Sequence, residues 1–403
     1  MVQIAICYNY DRVSKNVLVE IKNCEIGKEG LMISELTIEN YRGIRNLKLD
    51  NLGKINIIAG ANNTGKTSIL EVIRSLEAPN SIRNWVSIGR RGDVKFYMPP
   101  RYRLNSYDIM KSLFSVDNDL VGDSIKFYGL NNQETFCVEI KGSFSRTFVS
   151  KDKLDVFYSI AASVKDEDEE EEVDEYETDV LSLKFKVDGE ESGITDLYSG
   201  QVRNMFKDVQ DDNKAIVENV VYISPTQHSS MERYFNSLFK EPEMYVEFVE
   251  VMKLFDPGFV SVNAVTDELS HSRKHVVLSK NHKEGLLLDA YGDGMKKAML
   301  LLSAVIKAKN GVLLLDEFET AIHVSAMKMV FGVILNTAMK YNVQIFMTSH
   351  SIEAIETVLK CYPEFQKDMR MITLVNVNDE VRVRNVSGEK AIQLLDEYGL
   401  ELR

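Results

Sequence analysis

Eight residues, Gly60-Ala61-Asn62-Asn63-Thr64-Gly65-Lys66-Thr67, constrain this chain more than any other stretch. They satisfy the pattern GxxxxGK[ST] at every fixed position. The flanks agree with it. Lys54 to Ala59 reads as a buried strand, and Ser68 to Ile73 reads as the start of a helix. Strand, glycine turn and helix in that order aim successive backbone N–H groups and a helix N-terminus at an anionic phosphate chain. Lys66 is then placed to reach the β- and γ-phosphates, and the Thr67 hydroxyl to hold Mg2+. Asn62, Asn63, Thr64, Gly65 and Ser68 complete the expected cradle, so ATP and Mg2+ are the expected cofactors.

A chain of 403 residues can bury a large core and hold two or three domain-sized units. No apolar run reaches the ~18 residues a membrane span needs. Met1 to Asp11 lacks a basic region followed by an apolar core, so a cytoplasmic protein is expected. Cys7, Cys24, Cys137 and Cys361 show no paired spacing and read as ordinary reduced thiols. The net charge of −13 argues against broad binding to a phosphate backbone, though it leaves room for a local basic groove. Part of the acid excess is the run from Asp166 to Glu172, continued by Asp174, Glu175 and Glu177. It reads as a solvated loop tip, with an acidic docking patch as the alternative.

Along the chain, residues 1–224 read as strand-rich. Strands are expected at Val17 to Ile21, Met32 to Ile38 and Lys54 to Ala59, with turns at Gly27 to Gly30 and Asp50 to Gly53. Further short strands are expected at 125–129, 135–140, 144–149, 156–160 and 180–187, with the acidic loop 166–177 between the last two. Val220 to Ser224 is another buried strand. Residues 225–285 carry Tyr234, Leu238, Tyr245, Phe248, Val249 and Met252 at helical spacing and read as a helical lobe, with 260–277 unassigned. Residues 286–403 alternate helix and buried strand: helices at 296–308, 325–341, 351–361 and 389–397, strands at 311–315, 343–348, 371–375 and 381–384. Such alternation implies a mostly parallel sheet covered by helices. The phosphate loop lies in one half of the chain and this block in the other, so one α/β domain must be built from both.

The strand Val312 to Leu315 delivers Asp316-Glu317 at its C-terminal edge, where ligands bind in parallel sheets. Asp316 is assigned to Mg2+, and Glu317 to orienting and deprotonating a water in line with the γ-phosphate. The strand Gln344 to Met347 ends in Thr348-Ser349-His350, and His350 is placed to hydrogen-bond the γ-phosphate or the attacking water. Tyr291-Gly292-Asp293-Gly294-Met295-Lys296-Lys297 precedes a helix. Its glycines, Gly292 and Gly294, are a second candidate phosphate turn, facing either the chain's own nucleotide or another copy's.

The order of these motifs resembles the ABC-type ATPase heads of the RecF, SMC and OLD class, and among them the stand-alone ATPases of bacterial anti-phage systems. Ile33 to Ile44 resembles the family's first strand and its N-[FY]-R turn. Gly60 to Thr67 resembles Walker A, Leu313 to Glu317 resembles Walker B, Glu319 to His323 resembles the E-x-G-L-H segment, and His350 matches the switch histidine. The resemblance implies a P-loop NTPase head with a mixed and parallel sheet flanked by helices, carrying β-hairpin and short helical-lobe insertions. It also implies a composite site, in which two heads pair over ATP and each presents its signature turn to the other's γ-phosphate. Gly292 stands where the signature serine usually is, which implies a weaker contact across the pair and slow turnover, and Ala321 replaces the usual glycine after Walker B. Gln133 and Gln227 are both candidates for the Q-loop glutamine.

SMC proteins carry long coiled coils between the two halves, whereas Pro225 to Gly285 leaves room only for a small lobe. The nuclease domain that follows the ATPase in OLD proteins has no place before Arg403. The resemblance therefore implies a Mg2+-dependent ATP hydrolase that controls a separate effector protein, commonly a nuclease, in anti-phage defence. Two alternatives stand beside it. One is a RecF-like repair ATPase that binds DNA, and the other an ATP-dependent assembly module with little hydrolysis.

Overall fold

The computed structural model describes residues 33–90, 105–114, 116–117, 120–121, 124–150, 175–199, 214–225, 235, 238–240, 242–266, 273–320, 322, 324–377 and 380–398. The strands expected at 17–21 and 156–160, the turn at 27–30, the acidic run 166–172, Gln227, Ala321 and His323 lie outside those residues.

The order of elements begins with β1 (Ile33–Tyr41), β2 (Ile44–Leu49), β3 (Ile55–Gly60), α1 (Lys66–Ser75), α2 (Ile82–Gly89) and α3 (Ser106–Lys111). The short strands β4 (Val116–Asp117) and β5 (Leu120–Val121) precede β6 (Ser124–Asn131), β7 (Glu134–Ser150), β8 (Glu175–Val187) and β9 (Glu190–Tyr198). Next come β10 (Val220–Ile223), α4 (Pro242–Met252), β11 (Phe259–Thr266), β12 (Arg273–Ser279) and β13 (Leu286–Leu287). The remainder alternates: α5 (Asp293–Lys307), β14 (Val312–Leu315), α6 (Val324–Lys340), β15 (Gln344–Ser349), α7 (Ile352–Leu359), β16 (Met369–Val377), β17 (Glu380–Ser387) and α8 (Gly388–Tyr398).

The central sheet runs β10-β14-β15-β3-β16-β17. It is parallel through β16, and β17 closes it antiparallel. The two halves of the chain therefore meet where β3 lies between β15 and β16, as the motif positions required. Successive side chains of a strand point to opposite faces, so a sheet covered on both sides needs apolar residues at every position. Ile55, Ile57, Ala59, Leu313, Leu315, Ile345, Met347 and Met371 pack on one face with α5, α6 and α7. Ile58, Val312, Leu314, Phe346, Ile372 and Leu374 pack on the other with α1, α2 and a second sheet. That second sheet, β2-β1-β6-β7-β8-β9, is antiparallel throughout.

One buried amide joins the sheets and a second braces the turn that enters β3. The Gln344 side chain accepts from the Ile33 N–H at 2.9 Å and donates to the carbonyls of Ile33 (2.8 Å) and Gly53 (2.9 Å). Asn56 accepts from the Gly53 N–H at 2.8 Å and donates to the Gly53 carbonyl at 2.8 Å. Both residues are fully buried.

Several elements differ from the sequence expectation. The strands expected at 135–140 and 144–149 are one continuous strand, β7. Gly142 between them is no turn. A Cβ there would lie 2.7 Å from the Phe114 ring, so the glycine admits a close neighbour rather than a reversal. Strand β9 escaped notice although Asp188 (φ 49°) and Gly189 (φ 86°) form the Asp-Gly hairpin turn that precedes it. Helices α2 and α3 also escaped notice. The unassigned interval 260–277 holds the hairpin β11–β12, so residues 225–285 combine one helix, α4, with strands among the described residues. No helix of the described residues is long and apolar enough to cross a membrane.

Replacing Gln344 by Leu would remove its bonds to the buried N–H and carbonyl of Ile33, while the Gly53 carbonyl would keep its bond from Asn56. A loss of about 3 kcal/mol in unfolding free energy is expected, read from urea denaturation. A loss near zero would show that Gln344 does not join the sheets.

Candidate functional site

The phosphate loop leaves β3 through Gly60 and enters α1 at Gly65. Gly65 has φ 93°, a conformation that side-chain-bearing residues rarely adopt, and an added Cβ would press on Ile44 at 3.0 Å. Asn63, with φ 64°, also takes the left-handed conformation that asparagine tolerates. The Thr64 hydroxyl donates to the Ala61 carbonyl at 2.9 Å and braces the loop from inside. No side chain caps α1, so its first N–H groups are available to an anion. Asn62 lies exposed at the loop's outer rim, and Ser68 is buried in the first turn of α1.

Lys66 folds back along the loop, its ammonium donating to the carbonyls of Gly60 and Ala61, both at 2.8 Å. Burial pushes its amine below the usual lysine range. The charges of Asp316, Glu317 and Glu319 oppose that shift and favour the ammonium.

Asp316 is 6% exposed and is held by three hydroxyls. Thr67 reaches its two oxygens at 3.3 and 3.1 Å, Thr348 donates to Oδ1 at 2.6 Å, and Tyr222 donates to Oδ2 at 3.1 Å. The three come from α1, β15 and β10, strands and helix that the parallel ladder brings together. Thr348 also accepts the Glu317 N–H at 2.9 Å, so one hydroxyl orients both acidic residues. Glu317 sits at φ 47°, in the left-handed region disfavoured for a residue with a side chain. Its Oε1 lies 3.5 Å from Nε2 of His350, and both side chains are partly exposed. His350 is fixed from behind, its backbone N–H donating to Oε1 of Glu319 at 2.9 Å.

Gly60, Ala61, Asn62, Glu317, His350, Leu374, Val375 and Asn376 line an open cleft of about 650 Å3. Lys66, Thr67, Asp316, Glu317 and His350 are thus gathered at one sheet edge. Gly292 and Gly294 do not line that cleft and stand at the N-terminus of α5. Gln133 lies elsewhere, with φ 68° in the exposed turn between β6 and β7.

The Thr67 hydroxyl beside the Asp316 carboxylate is a hard oxygen pair of the kind that suits Mg2+, which is commonly held by one carboxylate and the substrate's phosphates. Among the described residues no group of three His, Cys, Asp or Glu side chains forms a metal cage, and such a site needs none.

The Tyr41-Arg42 pair of the N-[FY]-R turn has a structural task. Arg42 Nε donates to Glu71 Oε2 at 2.9 Å and the Tyr41 hydroxyl donates to the same oxygen at 3.0 Å. Glu71 is buried on α1, one turn beyond the phosphate loop, so the turn between β1 and β2 neutralises a carboxylate beneath the loop.

Residues 32–264, more than half of the chain, match the AAA ATPase domain family. A Helicobacter pylori protein named ATP/GTP phosphatase is 24% identical over 382 residues, covering 89% of this chain and 96% of its own length. An uncharacterized protein of Methanocaldococcus jannaschii is 64% identical over 42 residues, 10% of this chain and 19% of that one. Among solved structures, an Smc head bound to the C-winged helix domain of ScpA superposes with a TM-score of 0.47 at 14% identity, covering 90% of this chain and 100% of that one. The fold is the expected one, an α/β ABC-ATPase-like head with a mixed and parallel sheet flanked by helices.

Tyr222 and Thr348 were missed in the sequence, where each reads as one more strand residue. The Thr-Ser-His ending of β15 was the available signal for Thr348, and Tyr222 had none. Tyr222 is held in place by the Arg74 guanidinium over its ring, 5.1 Å from the centroid. Tyr222→Phe removes one donor from Asp316 and leaves the packing. The Mg2+ concentration that half-saturates binding of a fluorescent ATP analogue is expected to rise about tenfold, with metal-free binding unchanged. Identical Mg2+ curves would remove Tyr222 from the site.

Proposed function

This chain belongs to the AAA ATPase domain family, and we propose that it is a Mg2+-dependent ATP hydrolase working as two heads closed over nucleotide. The observation that carries the reading is the meeting of Lys66, Thr67, Asp316, Glu317 and His350 at one edge of a parallel sheet. Bound Mg2+ and triphosphate supply the electrophilic phosphorus and neutralise charge on its oxygens. Thr67 and Asp316 hold the metal. Lys66 exchanges the carbonyls of Gly60 and Ala61 for phosphate oxygens. Glu317 orients the attacking water and takes its proton, and His350 fixes the γ-phosphate side of the cleft. The name of the Helicobacter pylori relative, ATP/GTP phosphatase, supports triphosphate hydrolysis and leaves the base open.

Pairing of heads is supported at α5. Gly292 has φ −62°, and a Cβ on Gly292 or Gly294 would meet nothing within 4 Å. Neither backbone angle nor any neighbour among the described residues calls for glycine there. A phosphate held by a second copy supplies the close approach that would. On this reading residues 1–224 and 286–403 form the head and 225–285 an inserted lobe.

The recipient of the ATP-driven change is proposed, on the family resemblance alone, as a separate effector such as a nuclease in anti-phage defence. One structural observation favours the DNA-binding alternative. Arg45 and Lys48 on β2 and Arg382 and Arg384 on β17 are exposed on strands that pack beside each other, a basic strip on a chain of net charge −13.

Lys66→Ala is expected to abolish nucleotide binding. Glu317→Gln is expected to keep binding, lower turnover by roughly 100-fold or more, and accumulate an ATP-bound dimer in light scattering. Undiminished turnover in Glu317→Gln would remove the general-base assignment. For the recipient, the double variant Arg382→Glu/Arg384→Glu is expected to weaken duplex DNA binding and to flatten its log-salt slope by about 2. No DNA binding by the wild type at low salt would leave the effector reading, which copurification with a neighbouring gene's product then tests.

A further inference from the structure

Behind the cleft, Glu319 lies between two functional turns with one oxygen committed and one free. Its Oε1 accepts the His350 N–H at 2.9 Å, and its Oε2 is buried without a hydrogen-bond partner. The Glu319 carbonyl accepts the Ile322 N–H at 3.1 Å, and the Phe318 N–H bonds the Thr348 carbonyl at 3.1 Å, so its backbone is tied to β15. Phe318 is anchored edge-on against Phe331 of α6, with ring centroids 4.9 Å apart.

Lys297 stands in the second turn of α5, behind Gly292 and Gly294, where the helix passes into the core. It is 3% exposed and makes no hydrogen bond or ion pair with the described residues. Burial lowers its amine to about 8, and Glu319 is the carboxylate whose charge opposes that shift. The adjoining Tyr291 hydroxyl is also buried without a partner. A buried ammonium and a buried carboxylate oxygen, each lacking a bond and each within the other's field, are costly as they stand. Their opposite charges act on each other across the gap between α5 and the turn after β14.

We propose that Lys297 and Glu319 are a positioning pair that couples the glycine turn of α5 to the His350 backbone. Lys297 draws Glu319 toward α5. Glu319, bonded to the His350 N–H, carries the histidine with it, so an anion arriving at Gly292 and Gly294 biases the γ-phosphate side of the cleft. The consequence for turnover rests on the hydrolase reading; the coupling of the two segments does not.

Two variants isolate the charges. Glu319→Gln keeps an oxygen for the His350 N–H and loses the attraction to Lys297. Lys297→Met keeps the buried stem and loses the ammonium. In each, amide hydrogen exchange in the peptide spanning 347–352 is expected to accelerate about tenfold while the core strand β14 stays protected. Affinity for a fluorescent ATP analogue is expected to stay within about threefold and turnover to fall at least about tenfold, the double variant being no worse than either single one. Lys297→Arg, which keeps the charge, is expected to restore most of the protection. Unchanged exchange in the 347–352 peptide, additive losses in the double variant, or faster exchange spread evenly through α5 and β14 would each overturn the pair. A wild type without hydrolysis would overturn the hydrolase reading alone, with exchange still deciding the pair.

Discussion

The parallel ladder that seats β3 between β15 and β16 is the constraint on which the rest of this protein depends. It joins Ile55–Gly60 to residues 290 positions later in β15 and 314 later in β16, and no local interaction substitutes for it. Closing so long a loop is entropically unfavourable, and the pairing is recovered only when both faces of the sheet are covered. The alternating assignment of β3 side chains to two cores shows that coverage directly, with Ile57 in one core and Ile58 in the other. Gln344 sits at the base of the same ladder and satisfies the Ile33 backbone groups of the antiparallel sheet, while Asn56 satisfies those of Gly53 in the turn before β3.

Once that ladder forms, the site follows from strand ends. Asp316, Thr348 and Gly60 lie at the C-terminal edges of three strands. Their side chains or loops converge because parallel strands end together. The Asp316 carboxylate is held by hydroxyl donors rather than by a cation. Thr67, Thr348 and Tyr222 orient Asp316 without neutralising it, which leaves its charge for a metal. Glu71, by contrast, is neutralised by Arg42 and serves structure beneath the loop. The contrast separates a carboxylate poised for a ligand from one retired into the core.

The phosphate loop, the acidic strand end and the histidine strand end were all legible in the sequence, because each is a short pattern whose chemistry is local. Glycine at 65 announces a left-handed turn, and Val312 to Leu315 followed by Asp-Glu announces a buried strand with a polar exit. Legibility failed where residues act through distant partners. Tyr222 is one more aromatic in an apolar strand until β10 is placed beside β14 and its hydroxyl meets Asp316. Residues 135–140 and 144–149 read as two strands until β7 is found to run through Gly142 with the Phe114 ring against it. Lys297 reads only as the last residue of the glycine-turn stretch until the structure buries it in α5.

Read alone, the sequence determined the elements of the nucleotide site, the parallel character of the sheet and the need to build one domain from both halves of the chain. These follow from residue type, spacing and hydrophobic period, which are properties of neighbours along the chain. Only the tertiary structure decided which groups share a partner: the three hydroxyls on Asp316, the Arg42–Glu71 pair under the loop, and the Glu319 carboxylate on the His350 N–H. Those contacts depend on strand order and register, and register is set by long-range packing of faces that no local pattern encodes.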